Sequence, residues 1–374
     1  MPEKPAPLVI VVDDSPDDLK GRSDLANSEG KIRVVLRHPR DVTKDDLDAA
    51  SLVLVDLVLD IWPERDALSM LGLKPSNGLA LLSVLQEHAH ERGRRPCAFA
   101  LHTGKMERVR HSLADSEHIV ARAHNLEWVF RKQDAGAWDQ ITSLAQAVAS
   151  LAATWSVDDR EVNVATIKTW LGVPSEKWAT RAWRDVEECH PPAHELAATT
   201  HGIALVRWFL QRILPYPCFL IDTHHLAARL RVDRKSLSDA LHSGFDAWLA
   251  PALYKGQLAS FGGPRWWRSG IESLVFEVTA EAPSDPALLE RMLKEKNGAL
   301  KGTSVREPVV VLNERYDPLD ELGDADTAVR IVPDDWPPFA DQPWTTPELA
   351  RDDDRLGAIV HLADRERIAG GDEK

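Results

Sequence analysis

The stretch Leu52-Val53-Leu54-Val55-Asp56 sets a carboxylate at the end of an unbroken apolar run. Val9-Ile10-Val11-Val12 runs in the same way into the acidic pair Asp13-Asp14. Runs apolar at every position, rather than at alternate ones, predict strands buried on both faces of a parallel sheet. In an open α/β sheet the chemistry gathers at the carboxyl ends of the strands. Two such runs side by side would bring three carboxylates together there, and pairs of like charges about 4 Å apart repel by about 4 kcal/mol at an effective dielectric near 20. A divalent cation is the simplest remedy. Neither acidic strand end has a thiol or imidazole beside it, so the expected ion is hard and oxygen-seeking, Mg²⁺ rather than Zn²⁺.

Further apolar runs at 32–36, 97–102 and 127–131 join those at 8–12 and 51–56. Between them, helix-like stretches fall at 16–27, 43–50, 78–92, 105–124 and 137–153. In the last of these, Ile141, Leu144, Ala145, Val148 and Leu151 make a helical apolar stripe. This alternation predicts an α/β fold with a five-stranded parallel, doubly wound sheet. Two further strand ends carry chemistry, since Cys97–Leu101 leads into His102-Thr103-Gly104 and Glu127–Phe130 leads into Arg131-Lys132. A carboxylate that attacks phosphorus, a metal and a lysine that neutralises phosphoryl oxygens together make a phosphoryl-transfer site.

By order and type of residue, the first 153 residues resemble the receiver domain of two-component response regulators. That family has an acidic pair after its first strand, a phosphoacceptor Asp after its third, a Ser/Thr after its fourth and a Lys after its fifth. Asp13, Asp14, Asp56, Thr103 and Lys132 fall at those places in that order, and Ser76-Asn77-Gly78-Leu79 resembles the opening of the family's third helix. The resemblance implies that Asp56 accepts a phosphoryl group from a histidine kinase or phosphotransfer protein. It further implies that Asp13, Asp14 and Asp56 hold Mg²⁺, that Thr103 bonds to the phosphoryl group, and that Lys132 ion-pairs with it. Three places depart from the family. Gln133 follows Lys132 where the family has proline, which predicts a trans peptide there. Val129 takes the place of an aromatic switch residue, and the 57–77 segment is longer than the usual loop, so it reads as a lid or as an insertion packed beside the third helix. These departures motivate the alternative of a receiver-shaped interaction scaffold that works without phosphorylation. A free-standing phosphate-ester hydrolase built on the same acids is a third reading.

The chain has 374 residues, too many for one such domain. Its 44% hydrophobic content and 13 tryptophans support well-formed cores, and its net charge of −14 argues against a surface that coats nucleic acid broadly. The three cysteines, Cys97, Cys189 and Cys218, lack metal or disulfide spacing, and Met1–Pro5 lacks a secretory pattern. No apolar run approaches membrane-spanning length. A cytoplasmic protein without a membrane segment is expected. Cys189, His190, His194 and His201 lie close in sequence, but the intervening Pro191-Pro192 breaks the helical ligand spacing that zinc would need, which favours an ordinary loop.

From residue 154 to 301 the pattern turns mostly helical, with a helix-turn-helix-like segment at 222–242. Asp222 and Asp233 are placed to cap two helices that end near Leu230 and Leu241, with Arg231 at the turn position where that motif usually has glycine. If this pair reads DNA, Arg229, Arg231, Arg234 and Lys235 face it. Between Asp222 and Arg268 seven Lys/Arg stand against four Asp/Glu, a modest basic excess. Gly256–Gly263, Trp266-Trp267 and Leu274–Val278 then read as a β-wing, as in winged helices. An antiparallel helix pair that contacts protein shows the same apolar spacing, so DNA and protein outputs both stay open. Residues 302–374 contain one strand signal, Pro308–Leu312, before an acidic, proline-rich stretch that composition predicts to be an extended or partly disordered tail.

Overall fold

The computed structural model describes residues 5–60, 62, 75, 77–92, 96–110, 116–152, 154–156, 160–192, 202–280 and 282–369. Most of the long 57–77 segment, and His194 and His201, lie outside these residues. The chain divides into two compact units. The first comprises 1–172, 191–215 and 256–261, and the second 173–190, 216–255 and 262–374.

In the first unit, β1 (Leu8–Val12), β2 (Arg33–Arg37), β3 (Ala50–Val55), β4 (Ala98–Thr103) and β5 (Trp128–Arg131) form one sheet in the order β2-β1-β3-β4-β5. Every pairing is parallel. The expected strands are met to within one residue at each end. β1, β3 and β4 are buried almost throughout, which is what their uninterrupted apolar sequence predicts for a sheet covered on both faces. Ile10, Val12, Val53, Val55, Phe99 and Leu101 share a core with Leu47 of α2 (Lys44–Ala49) and Leu81 and Leu85 of α3 (Gly78–Arg92). Thr43 starts α2 through a capping box with Asp46. α6 (Ala137–Leu151) buries the predicted stripe, Ile141, Leu144, Ala145, Val148 and Leu151, against β3, β4 and β5.

Two predicted helices are subdivided. The 16–27 segment begins as a tighter turn at Pro16–Leu19 before α1 (Lys20–Ser28), and the 105–124 segment contains α4 (Glu107–Arg110) and α5 (Glu117–Ala123). Later stretches add to this unit. α7 (Arg160–Trp170) packs on α6, as does the Ile203–Trp208 helix, whose continuation Phe209–Ile213 lies against α5. Trp170 meets Phe209 edge to face at 5.3 Å, and its indole N–H donates to the Ala147 carbonyl.

The second unit is built of α8 (Ala179–Glu188) and later helices around Leu226, Leu230, Leu237, Phe245, Leu249 and Ile271. Asp222 and Asp233 cap helices Thr223–Leu230 and Arg234–Ala240 by accepting from the backbone N–H groups of His225 and Ser236. Arg231 between them is left-handed, at φ 55°, the conformation for which glycine is usual at that turn. The expected wing does not form from Leu274–Val278. Those residues belong to the helix Arg268–Val278, and β7 (Trp266–Trp267) pairs instead with β6 (Leu220–Ile221).

The expected extended tail is likewise overturned. β8 (Pro308–Leu312), β9 (Pro318–Asp324), β10 (Val329–Arg330) and β11 (Trp344–Thr345) make a sheet in the order β10-β11-β8-β9. Val310, Leu312, Val329 and Ile331 bury themselves with Ala350 and Leu356 of the helices that follow, and with Val360, which bridges to Ile331. Among the prolines and acids that suggested such a tail, Pro347 and Asp353 start elements here. Pro347 opens a helix that Thr346 caps, and Asp353 caps the next.

Candidate metal centre at the sheet edge

The order β2-β1-β3-β4-β5 reverses direction between β1 and β3, and the crevice at that reversal is where open α/β sheets bind ligands. Register decides what lies there. Val12 pairs with Val55, and the Asp56 N–H donates to the Val12 carbonyl at 2.9 Å, so Asp13 and Asp56 leave adjacent strands side by side. Asp13, Asp14 and Asp56 each offer an oxygen within 4.8 Å of the others, a group that can hold a metal ion and the one such group among the described residues. Ligands around an octahedral Mg²⁺ at about 2.1 Å stand about 3–4 Å apart, so this spacing suits one small ion.

Lys132 closes the site from β5. Its backbone N–H donates to the Thr103 carbonyl, and its Nζ lies 2.9 Å from Asp13 Oδ2 and 3.0 Å from Asp56 Oδ2. Asp13 is buried, and its other oxygen accepts from the Ser15 N–H at 2.8 Å. Burial raises the Asp56 pKa above the usual carboxylate value, against the pull of Lys132 and with added repulsion from Asp13. Burial also disfavours the charge on Lys132, yet hydrogen bonding and charge from Asp13 and Asp56 prevail and raise its pKa. One ammonium among three carboxylates leaves a divalent cation's worth of negative charge.

Thr103 is fully buried at the end of β4, and its hydroxyl oxygen accepts from the Lys105 N–H at 2.9 Å, which leaves the hydroxyl proton available to donate. The peptide after Lys132 is trans. The loop takes its shape from other bonds: the Gln133 side-chain amide donates to the Gly104 carbonyl at 3.1 Å, and Arg22 donates to the Lys132 carbonyl at 3.0 Å.

Three contributors lie outside the five strand-end positions. Gly78 backs directly onto Asp56, where a Cβ would fall 1.9 Å from the Asp56 carbonyl oxygen, so only glycine lets α3 begin there. His102 is buried beside Trp138, edge to face at 5.9 Å, with no hydrogen-bond partner for either ring nitrogen among the described residues. Burial, with Lys132 and Arg22 nearby, pushes its pKa down to about 4, so it stays neutral around physiological pH. Arg22 contributes both to that effect and to the loop. Only His102, at the end of the fourth apolar run, and Gly78, in the stretch that resembles the opening of the third helix, were visible in sequence.

Three of the four residues expected to face DNA hold ion pairs within the chain. Arg229 pairs with Glu272 and Asp341, Arg231 with Glu307, and Arg234 with Asp320 of β9, while Lys235 is exposed. β9 packs on both helices of the 223–240 pair. Among the described residues no helix is long and apolar enough to cross a membrane. No protein-family model and no curated protein matches the chain.

Proposed function

We propose that this chain is a receiver-type signalling protein in which Asp56 accepts a phosphoryl group from a partner histidine kinase or phosphotransfer protein. The observation that carries this reading is the Lys132 ammonium bridging Asp13 and Asp56 beside Asp14, at the strand reversal of a parallel five-stranded sheet. Asp13, Asp14 and Asp56 would hold Mg²⁺, which supplies charge neutralisation for the transferring phosphoryl oxygens. An Asp56 carboxylate oxygen attacks phosphorus, the phosphorus–nitrogen bond to the donor imidazole breaks, and the ring leaves with its electron pair and takes up a proton. Lys132 then pairs with the new phosphoryl group, and the Thr103 hydroxyl donates to it. In exchange Lys132 gives up part of its hold on Asp13 and Asp56, and this change passes along β5 to the residues packed on it.

The test uses the full chain with Mg²⁺ and acetyl phosphate. An acid-stable, base-labile adduct of one phosphoryl group is expected on Asp56, absent from Asp56→Asn and lost on chelation of the metal. No adduct from acetyl phosphate or phosphoramidate, or an adduct elsewhere, refutes the proposal.

One feature favours the scaffold reading. Lys132 already bridges the carboxylates, and the Gln133 amide locks the adjoining loop to Gly104. In that case wild type and Asp56→Asn bind a partner equally under phosphorylating conditions. For output, the ion pairs on Arg229, Arg231 and Arg234 favour protein contact over DNA. Binding to DNA that weakens steeply with salt, and falls further in Arg234→Ala/Lys235→Ala, would reverse that preference.

A further inference from the structure

We propose that the second unit holds a binding site for a small organic anion with an apolar or aromatic body. The cavity has a volume of about 900 Å³, bounded by the start of α8, the Thr223–Leu230 and Arg268–Val278 helices, β8 and the approach to β11. That is within the range of ligand pockets in proteins, roughly 300–1,000 Å³. Trp178, Val275, Phe276, Val309 and Trp344 give it apolar walls.

Its charged groups set the sign of the ligand. Lys177, Arg181, Arg229 and Arg231 line it, against the carboxylates of Glu272, Glu307 and Asp341. Glu272 is shared by Arg181 and Arg229, and Asp341 is shared by Arg229 and Arg268. Lys177 has no ion pair among the described residues, so the lining carries a surplus cation at neutral pH. The pairs on Arg229 use one N–H of each terminal nitrogen, to Glu272 and to Asp341, and so fix the guanidinium in place while leaving further donors to point at a ligand.

A second observation is independent of charge. Ser269 lines the same cavity, is 1% exposed, and its hydroxyl has no hydrogen-bond partner among the described residues. A buried hydroxyl without a partner is costly, and an oxyanion against the cavity wall satisfies it. Preformed cations, apolar walls and one buried unmet donor together describe an acceptor for a carboxylate or sulfonate on a hydrophobic body. The site is separate from the carboxylate cluster and gives the second unit an input of its own.

The experiment titrates the full chain with the fluorescent anion anilinonaphthalenesulfonate and with its uncharged analogue phenylnaphthylamine. Saturable one-to-one binding of the sulfonate is expected, about tenfold tighter than that of the neutral probe, as one charge-assisted hydrogen bond provides. The rim variant Lys177→Met/Arg181→Met should bring the two affinities together, and Ser269→Ala should weaken only the sulfonate. Ser273→Trp, which fills the cavity, should abolish both, with each variant's folding checked by its thermal melt. Unsaturable binding, equal affinity for the two probes in wild type, or sulfonate binding unchanged in both the rim and Ser269→Ala variants overturns the proposal.

Discussion

Asp56 is held in the fold at a cost that a cation or a phosphoryl group can change. Because burial leads the upward shift of its pKa, the folded chain binds this proton more tightly than the unfolded chain does. The sign follows from linkage: the stability tied to this group is greatest at acid pH and falls as pH rises from the unfolded carboxylate value, about 4, through the higher folded value. Asp56→Asn removes that ionisation. In thermal melts without divalent cations, the variant is expected to be the more stable protein at neutral pH, with the gap closing toward pH 4. Adding Mg²⁺ should stabilise wild type and leave the variant nearly unmoved. A wild type that is more stable than Asp56→Asn in chelator at pH 7 would show that Lys132 outweighs burial. Gly78 gives a sharper steric case, since its missing Cβ is replaced by the Asp56 carbonyl oxygen. Gly78→Ala must move backbone, so a loss of about 2 kcal/mol or more is expected in chemical denaturation, with metal affinity falling as Asp56 shifts.

Elements were legible in the sequence where their signals are local. The 222–240 helix pair was placed by two aspartates, and both turn out to cap as expected. Asp233→Ala should therefore cost about 1 kcal/mol, read as a lower denaturant midpoint for the second unit with an unchanged slope. The strand-end residues Asp13, Asp14, Asp56, Thr103 and Lys132 were legible for a similar reason, because each closes an apolar run whose end is visible in one dimension. What the sequence hid depends on segments that are far apart in the chain. Gly78 against Asp56, Gln133 on Gly104 and Arg22 on Lys132 arise only once strands and loops converge. The wing failed because Leu274–Val278 has a β-favouring composition, yet the helix Arg268–Val278 buries Ile271 and Val275 in the core around the helix pair. The extended tail failed because composition does not distinguish prolines that break elements from prolines that begin them.

The chain passes between its two units at 172/173, 190/191, 215/216, 255/256 and 261/262, so the sheet-bearing unit draws on stretches well beyond residue 153. These later stretches cover β5, the strand that leads into Lys132. Phe261 meets Trp128 at 5.5 Å and Phe130 at 6.3 Å, while the Arg207 guanidinium pairs with Glu127, a carboxylate with no solvent exposure. Glu127 also accepts from the Phe99 N–H, and so ties β4 to the Ile203–Trp208 helix. Removing one partner of a buried pair costs about 3–5 kcal/mol, because the remaining charge is left desolvated. Arg207→Ala should lower stability by about 3 kcal/mol, and Glu127→Gln/Arg207→Met should recover part of it. The fragment 1–153 loses Arg207, Phe209 and Phe261 together, at about 1.5–3 kcal/mol for each aromatic side chain no longer buried. Its hydrogen exchange should quicken first in β5 and α5. If phosphoryl transfer loosens the hold of Lys132 on the carboxylates, the same amides should exchange faster in the full chain after acetyl phosphate treatment, and Asp56→Asn should abolish that change. Equal protection of β5 in the fragment and the full chain would mean that the later stretches do not support the strand, and that the route from Asp56 runs elsewhere.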